Sequence, residues 1–296
     1  MRSVLLLYNP QAARARAGRV QAVERVLRSA GCRLDVVAPD SPDGVVEAAR
    51  QGAEAGVDVV AVYGGDGTVM LGVQGMIGHE VLLGVIPGGT GNLLAGNLGI
   101  PRVPERAAAV VVGGVERRID LGRIETVEDV RYFAVAAGAG YDAELMGGTR
   151  PEAKRRWGMG AYVAECVRTL RDLRSHPFRL VIDDRSIEVD AASVLIANCG
   201  KIMPPLIDLG DDVTLDDGLL DVVTLKADGI REACRVVWDL YRGRTASPRL
   251  QRFRGRTVRV EVPGRVPVQR DGDADGCTPF TASVVPDALG VIVPAG

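Results

Sequence analysis

The sequence predicts two domains: an α/β domain with a doubly wound parallel sheet, followed by a mostly antiparallel β domain. The chain has 296 residues, 47% of them hydrophobic, and is longer than most single domains. Its first part alternates short apolar runs with helical patterns, as parallel α/β sheets do. From Arg117 onward, apolar runs of strand length dominate. We therefore place the domains at residues 1–122 and 123–296.

The elements of the first domain are predicted to alternate regularly between strand and helix. The predicted strands are Ser3–Tyr8, Arg33–Ala38, Val57–Tyr63 and Val81–Ile86, and the predicted helices are Gly18–Ala30, Gly44–Ala55, Thr68–Ile77 and Asn92–Leu98. The last helix ends near Gly99 and Pro101, which are typical helix stop signals. This order favours a parallel sheet with helices on both faces.

The second domain is predicted to be built mainly from strands. They are Arg131–Ala137, Phe178–Ile182, Ser193–Asn198, Leu219–Leu225, Arg256–Val262 and Gly290–Val293. Two long helical patterns, Pro151–Ser175 and Gly229–Gly243, interrupt them.

Composition excludes several classes of function. Thirty-six basic against 38 acidic residues give a net charge of -2, which provides no overall basic surface for nucleic acid. The only histidines are His79 and His176, which argues against histidine triads and multi-histidine metal sites. Five scattered cysteines without a CxxC pair, and an opening apolar run too short for a signal peptide, predict a cytoplasmic protein with reduced thiols.

The most informative stretch is Gly64-Gly65-Asp66-Gly67-Thr68, between a predicted strand and a predicted helix. Ligands of open α/β sheets bind where a helix begins beyond a strand and points its N–H groups at them. The glycines permit positive φ and close backbone approach, and Thr68 can cap the helix and donate to an anion. We interpret this loop as a phosphate cradle. Since Asp66 would repel phosphate unless a divalent cation bridged the two, it implies Mg²⁺.

A second loop, PGGTGN at residues 87–92, repeats the pattern after the next strand and adds Gly89, Thr90 and Asn92 as binding candidates. Two such loops at adjacent strand ends could hold a nucleoside triphosphate. Each could also be a plain glycine-rich turn before a capped helix. Neither the P-loop pattern nor the spaced GxGxxG of dinucleotide-binding proteins is present.

Together with Leu98-Gly99-Ile100-Pro101, these loops resemble those of bacterial lipid kinases of the diacylglycerol kinase catalytic-domain family, whose relatives include sphingosine kinases. The resemblance continues through YNP at residues 8–10, AGAGYD at 137–142, DGLLDV at 217–222 and DGD at 271–273. GGDGT is shared with NAD kinases, whereas the second loop and DGLLDV favour the lipid kinases. The resemblance implies a Rossmann-like first domain, a β-sandwich second domain and an ATP site.

The resemblance also implies roles for individual residues. The nucleotide-contacting set would be Asn9, Gly65, Asp66, Gly67, Thr68 and Thr90. Such a kinase should supply one more hydroxyl from the region of Val36–Ser41, which here reads VVAPDS. A magnesium site would use the carboxylate of Asp217 and the backbone carbonyls of Thr214 and Leu219. Six aspartates between Asp208 and Asp221 suit a hard cation, although they could also form a solvated acidic loop.

The proton acceptor implied by the resemblance is the acid of a D-G-E motif, matched here by Asp271-Gly272-Asp273. In an extended segment, residues two apart share a face, so both carboxylates could reach the substrate. We assign Asp273 as the base and Asp271 as the alternative. The stretch also matches half of a calcium-binding EF-hand loop, but its twelfth position is Ala282 instead of glutamate.

Two basic segments predict contact with an anionic membrane surface. Arg231–Arg259 contains nine arginines and two acids, and Arg150–Arg174 contains seven basic residues and three acids beside Trp157 and Tyr162. Basic residues with interfacial aromatics suit a lipid surface, with solvated helix faces as the alternative.

We therefore predict an ATP- and Mg²⁺-dependent lipid kinase that phosphorylates a hydroxyl of a diacylglycerol-like or long-chain lipid at the inner membrane face. The alternatives are an NAD kinase and a catalytically silent nucleotide- or lipid-binding protein. The sequence leaves open which lipid is used and whether the protein forms a homodimer.

Overall fold

The computed structural model describes residues 2–10, 17–126, 129–140, 175–203, 207–229, 231–232, 235, 238 and 249–295. The chain divides into two compact units. Unit 1 comprises Met1–Ile119 and Asp287–Gly296, and unit 2 comprises Asp120–Pro286. The sequence assigns every residue after 122 to the second domain, whereas the contacts assign the segment from Asp287 onward to unit 1.

Unit 1 contains all eight strands and helices predicted for the first domain, with ends shifted by a few residues. In order they are β1 Ser3–Tyr8, α1 Ala17–Ser29, β2 Arg33–Val37, α2 Pro42–Glu54, β3 Val59–Gly64, α3 Asp66–Met76, β4 Leu82–Pro87 and α4 Leu93–Asn97. A further helix, α5 Pro104–Gly113, has no counterpart among the predicted elements. Its Pro104 lies at the first helical position, where the missing N–H costs nothing.

The sheet of unit 1 is parallel, as predicted, with strand order β2-β1-β3-β4. The end of the last strand, β18 (Phe280–Val293), adds to β4 in parallel through the pair Val291 and Leu83. Helix α1 packs against α5, and α2 packs against α3. β3 is buried along its whole length, which explains its unbroken apolar sequence.

Unit 2 is built from antiparallel strands, as predicted. The strands after α5 are β5 Val115–Glu125, β6 Val130–Phe133, β7 Ala136–Gly140, β8 His176–Ile182, β9 Arg185–Ala191, β10 Ser193–Ala197, β11 Lys201–Met203, β12 Ile207–Asp208, β13 Leu220–Leu225, β14 Leu250–Gly255, β15 Thr257–Glu261, β16 Pro267–Arg270, β17 Asp273–Cys277 and β18 Phe280–Val293, of which β5 begins and β18 ends within unit 1. One sheet runs β14-β13-β10-β7-β16-β17, and the other runs β18-β15-β8-β9. A buried cluster that includes Ile196 and Val222 of the first sheet and Phe178 and Val258 of the second fills the space between them.

Four predicted elements of the second domain need correction or lie wholly or partly outside the described residues. The predicted strand Arg131–Ala137 is interrupted at residues 134–135 and forms the two strands β6 and β7. Gly290–Val293 is only the end of the 14-residue strand β18. Of the helical pattern Gly229–Gly243, residues 231, 232, 235 and 238 are described and are helical, and Gly229 is described and lies in a bend. Residues 151–174 of the other pattern lie outside the described part.

Candidate active site

Three loops follow neighbouring strands at one edge of the unit 1 sheet. Tyr8 at the end of β1 is aligned with Tyr63 of β3, and Gly64 at the end of β3 is aligned with Pro87 of β4. The chain leaves β1 toward β2 on one side, and β3 and β4 lie on the other. Strand order therefore reverses between β1 and β3, which is where open α/β sheets bind ligands.

The two glycine loops touch through their backbones. The N–H of Gly88 donates to the carbonyl of Gly64 at 2.7 Å. A Cβ atom on Gly89 would lie 2.6 Å from Cα of Gly65, and one on Gly65 would lie 3.3 Å from Cα of Gly89. Gly65 has φ -85°, so of the two properties that glycine offers, close approach is the one used at this position.

Asp66 joins the first loop to the second. Its Oδ1 accepts the N–H of Leu94 at 3.3 Å, at the start of α4. Burial raises the pKa of Asp66, and the backbone N–H groups of Leu94, Leu93 and Asn92 pull that pKa back down. Asp66 therefore holds the N-terminus of α4 with the same carboxylate that the sequence assigns to the metal and the phosphates.

Of the two predicted binding hydroxyls, that of Thr68 accepts a hydrogen bond within the fold and that of Thr90 is exposed. Nδ2 of Asn9 donates to Oγ1 of Thr68 at 3.3 Å, which brings the end of β1 to the first turn of α3. Thr68 does not cap α3, because the helix already begins at Asp66 and Gly65 occupies the N-cap. Thr90 is exposed at the tip of the second loop.

Asn92 from the predicted binding set and Ser41 from the segment 36–41 both form hydrogen bonds that stabilise the local fold. Asn92 is 5% exposed and has φ 53°. Its Oδ1 accepts the N–H of Gly89 at 2.9 Å, while its Nδ2 donates to the carbonyl of Gly89 at 2.8 Å. Asn92 therefore shapes the second loop. In the segment expected to supply another hydroxyl, Ser41 caps α2 by accepting the N–H of Gly44 at 3.1 Å.

In unit 2, Asp271 is not on an extended strand, so the expectation that it shares a strand face with Asp273 is wrong. Asp271 and Gly272 have φ 47° and 88° and form the turn between β16 and β17. The Asp271 carboxylate accepts three successive N–H groups, from Ala134 at 3.0 Å, Val135 at 2.9 Å and Ala136 at 3.0 Å. Burial raises the pKa of Asp271 to about 6 against the effect of these donors.

These bonds explain the interruption between β6 and β7, since the side chain of Asp271 supplies acceptors for backbone donors there. Asp273 begins β17, and its backbone is paired with Arg270. The side chain of Asp273 lies outside the described residues. The N–H of Gly272 donates to the side chain of the buried Gln269 at 3.0 Å, which fixes the turn before Asp273.

Asp217 lies in a network of acids and arginines that the sequence analysis did not identify. Its Oδ1 accepts the N–H of Leu219 at 3.0 Å, and its Oδ2 lies 2.9 Å from Nη2 of Arg254. The buried Asp221 accepts from Nε of Arg252 at 2.6 Å and from Nε of Arg254 at 3.0 Å. The partners are 31 to 37 residues apart along the chain, and only the pairing of β13 with β14 brings them together.

The network fits a hard cation in its charge. Three carboxylates, those of Asp212, Asp217 and Asp221, pair with two arginines, and a fourth, that of Asp120, accepts the N–H of Gly218 at 2.7 Å. Partial burial raises the pKa of Asp217, and the negative charges of Asp221 and Asp120 add to this effect. Within the described ranges, no three His, Cys, Asp or Glu side chains form a metal-binding group. The predicted site needs only one such side chain, that of Asp217, because Thr214 and Leu219 would contribute backbone carbonyls.

The sheet and its loops define an α/β domain with glycine loops at the switch point of a parallel sheet, followed by an antiparallel sandwich. Comparison with known families identifies it further. Residues 3–124 match the diacylglycerol kinase catalytic domain, and residues 135–293 match the YegS C-terminal NAD kinase beta sandwich-like domain. The chain belongs to the diacylglycerol kinase family of bacterial lipid kinases and is a phosphotransferase with an alcohol group as acceptor. Both the predicted family and the predicted fold class are confirmed.

Relatives in two bacteria are similar to most of the chain. A diacylglycerol kinase of Mycobacterium tuberculosis is 34% identical over 251 residues, covering 81% of this chain and 78% of its own. A diacylglycerol kinase of Bacillus subtilis is 28% identical over 285 residues, covering 94% and 92%. The crystal structure of a diacylglycerol kinase from Bacillus anthracis superposes with a TM-score of 0.77 at 20% identity, covering 98% and 96%, and supports the fold.

Among the helices of the described ranges, none is long and apolar enough to cross a membrane.

Proposed function

We propose that this kinase transfers the γ-phosphate of ATP, with Mg²⁺, to a hydroxyl of a diacylglycerol-like or long-chain lipid. The observation that carries the proposal is the pair of interlocked glycine loops at the switch point of a sheet in a member of this family. Glycines leave the backbone N–H groups open to phosphate oxygens, and the exposed Thr90 adds a hydroxyl.

In this proposal, unit 1 binds the nucleotide. Asn9, Gly65, Gly67, Thr68 and Thr90 contact ATP, and Gly64, Gly89 and Asn92 keep the loops in shape. Asp66 holds Mg²⁺ beside the phosphates, which is compatible with its hydrogen bonds because a carboxylate has four lone pairs. The bound ion would neutralise phosphate charge.

Unit 2 contributes the base and a second metal position. Asp273 accepts the proton of the lipid hydroxyl. Asp271 holds the turn before it through the three N–H groups of residues 134–136. Asp217, with the carbonyls of Thr214 and Leu219, binds Mg²⁺ within the acidic network. We also propose that the protein is cytoplasmic and meets its lipid at the inner membrane face.

The test is a kinase assay with ATP labelled at the γ-phosphate and three kinds of acceptor. Diacylglycerol and long-chain lipid alcohols are presented in mixed micelles, and NAD is presented in solution. Label should enter a lipid in the presence of Mg²⁺, disappear with excess chelator, and be reduced by orders of magnitude in Asp66→Asn.

Two other results would assign the chain a different function, and a third would change the proposed metal site. Label in NAD alone would make the chain an NAD kinase. ATP binding without label in any acceptor would indicate a silent nucleotide-binding protein. Full activity of Asp66→Asn at saturating Mg²⁺ would remove Asp66 from the proposed metal site.

A further inference from the structure

Asn198 joins two segments of unit 2 from a buried position. It follows β10 directly and is 1% exposed. Its Nδ2 donates to the carbonyl of Asp120 at 2.9 Å and to the carbonyl of Ala134 at 3.1 Å. Its backbone N–H donates to the carbonyl of Val135 at 2.9 Å. This one residue therefore ties β5 to the interruption between β6 and β7.

The side-chain amide of Asn198 is used for its two donors. Turning the amide over would place Oδ1 against two carbonyl oxygens, so the hydrogen bonds determine its orientation. In this orientation Oδ1 is buried and accepts no hydrogen bond from the described residues. A buried acceptor without a donor is unfavourable for folding. Asparagine at this position is therefore better explained by what its donors hold than by stability alone.

The segment 134–136 is held from two sides. Its three N–H groups donate to the carboxylate of Asp271, and the carbonyls of its first two residues accept from Asn198. The N–H of Asp271 donates in return to the carbonyl of the last residue of the segment at 2.8 Å. A shift of this segment would therefore move the turn that precedes Asp273.

Asp120, the other partner of the Asn198 amide, is fixed within unit 2. It is 3% exposed. Its N–H donates to the carbonyl of Leu215 at 2.6 Å, and its carboxylate accepts the N–H of Gly218 at 2.7 Å. These two partners lie on either side of Asp217 in the sequence. Asn198 therefore connects its other hydrogen-bond partners to a fixed point.

We propose that Asn198 is a positioning residue of the kinase reaction, which holds the segment 134–136 and, through Asp271, the turn that presents Asp273 to the lipid hydroxyl. Asn198 acts through the backbone and not on the reacting atoms. The proposal rests on the proposed function, because it takes Asp273 as the base. A displacement of about 1 Å at a catalytic group can lower the rate roughly 100-fold.

The first experiment measures kcat and the KM for ATP of N198A on micellar lipid, well below its melting temperature. We expect kcat to fall about 10- to 100-fold. The KM for ATP should stay within about 2-fold of wild type, because the proposed ATP loops belong to unit 1. N198S, which keeps one hydroxyl donor, replaces N198A if that variant does not fold.

The matched control is V258A. Val258 is fully buried in the core of unit 2 and belongs to the sheet that does not contain Asn198 or Asp271. V258A should lower the melting temperature because it leaves a cavity. Assayed equally far below its melting temperature, it should keep kcat within about 2-fold of wild type. A loss of kcat that follows stability alone would appear in both variants.

A double variant tests whether Asn198 acts through the segment that Asp271 holds. N198A/D271N should lose about as much kcat as the more impaired single variant, because both changes release the same segment. D271N/V258A should show the product of the two single losses, because these residues share no partner.

Hydrogen exchange examines the same segment without turnover. In N198A, the amide N–H groups of residues 134–136 should exchange about 10-fold faster relative to those of β8 and β9. V258A should not single out these amides.

The proposal is overturned by normal kcat in N198A or in D271N, by equal kcat losses in N198A and V258A, by multiplying losses in N198A/D271N, or by unchanged exchange at residues 134–136. Normal kcat in N198A, in a protein that phosphorylates lipid, would leave the proposed function standing. A wild-type protein that labels no lipid would refute the proposed function and the catalytic part of this inference. Selective exchange in N198A would then still establish that Asn198 holds the segment.

Discussion

At the scale of single residues, the side chain of Asp271 is already committed to hydrogen bonds within the fold. The Asp271 carboxylate already accepts three backbone N–H groups, and it lies in a turn at positive φ. A carboxylate so engaged is suited to holding the backbone. This arrangement favours Asp273 as the base and Asp271 as the residue that positions it.

The first prediction concerns Asp273. A positioned base contributes about 100- to 10,000-fold to rate, so Asp273→Asn should lower kcat by that factor with little change in ATP affinity. Asp273→Glu keeps a carboxylate and should retain activity. The measurement is steady-state kinetics on micellar lipid. Near-normal kcat in Asp273→Asn, beside an inactive and fully stable Asp271→Asn, would reverse the two roles.

The second prediction concerns the protonation of Asp271. Its pKa is about 6 in the folded protein, against 3.8 for an unperturbed aspartate, so between these values the folded state keeps a proton that the unfolded chain has lost. The free energy of unfolding should therefore fall as pH rises from about 4 to 6, by about 1 kcal/mol per pH unit at most. Urea unfolding across this range tests it. Asp271→Asn should lack this component, and identical pH dependence in both proteins would contradict the assignment.

At the scale of elements, the loops after β3 and β4 act as one structure because their backbones touch. The contact leaves no room for a side chain at Gly89 and little at Gly65. The network between β13 and β14 likewise joins two strands through Arg252 and Arg254. Each feature joins segments that are distant in sequence, so a single substitution should disturb both segments.

The third prediction tests the loop contact. Gly89→Ala places a methyl group 2.6 Å from Cα of Gly65 and should destabilise unit 1 by about 1–3 kcal/mol and weaken ATP binding. Gly96 is the control, because nothing lies within 4 Å of its added Cβ and it is in α4. Gly96→Ala should be neutral or stabilising by up to about 1 kcal/mol. Urea unfolding and ATP titration measure both, and equal effects would argue against the contact.

The fourth prediction tests metal binding at Asp217. Mg²⁺ that binds only the folded protein should raise the melting temperature, and Asp217→Asn should abolish that increment. Arg254→Met removes a competing cation from the same carboxylate and should enlarge the increment, although it lowers stability without Mg²⁺. Calorimetry with and without chelator distinguishes these cases. An equal shift in wild type and Asp217→Asn would place the metal elsewhere.

At the scale of the whole molecule, the fold class and the loop positions could be predicted from the sequence because they depend on local patterns. The run at Ser3–Tyr8 is apolar and bounded by Asn9 and Pro10, and it is strand β1. Helix α5 was not predicted, because its three successive valines also suit a strand. The role of Asp271 was not predicted, because the N–H groups that donate to its carboxylate lie 135 to 137 residues away in sequence.

The fifth prediction concerns the return of the chain to unit 1. Leu289, Val291 and Ile292 are buried, and Val291 pairs with Leu83 of β4. Deleting residues 287–296 should remove roughly 1.5–3 kcal/mol for each buried side chain, a large part of a typical domain's stability. Loss of ATP binding and a lower melting temperature would be the readouts. Deleting only residues 294–296 is the control and should change little, and similar losses from both deletions would refute this role of β18.

The position of β18 also has a consequence during synthesis. The ribosome produces residues 1–119 first, but the strand beside β4 is made only after residues 120–286 have emerged. Until then, the growing chain exposes the unpaired edge of β4, and such edges invite pairing with other chains. Correct assembly of unit 1 therefore depends on a segment that is synthesised only after all of unit 2.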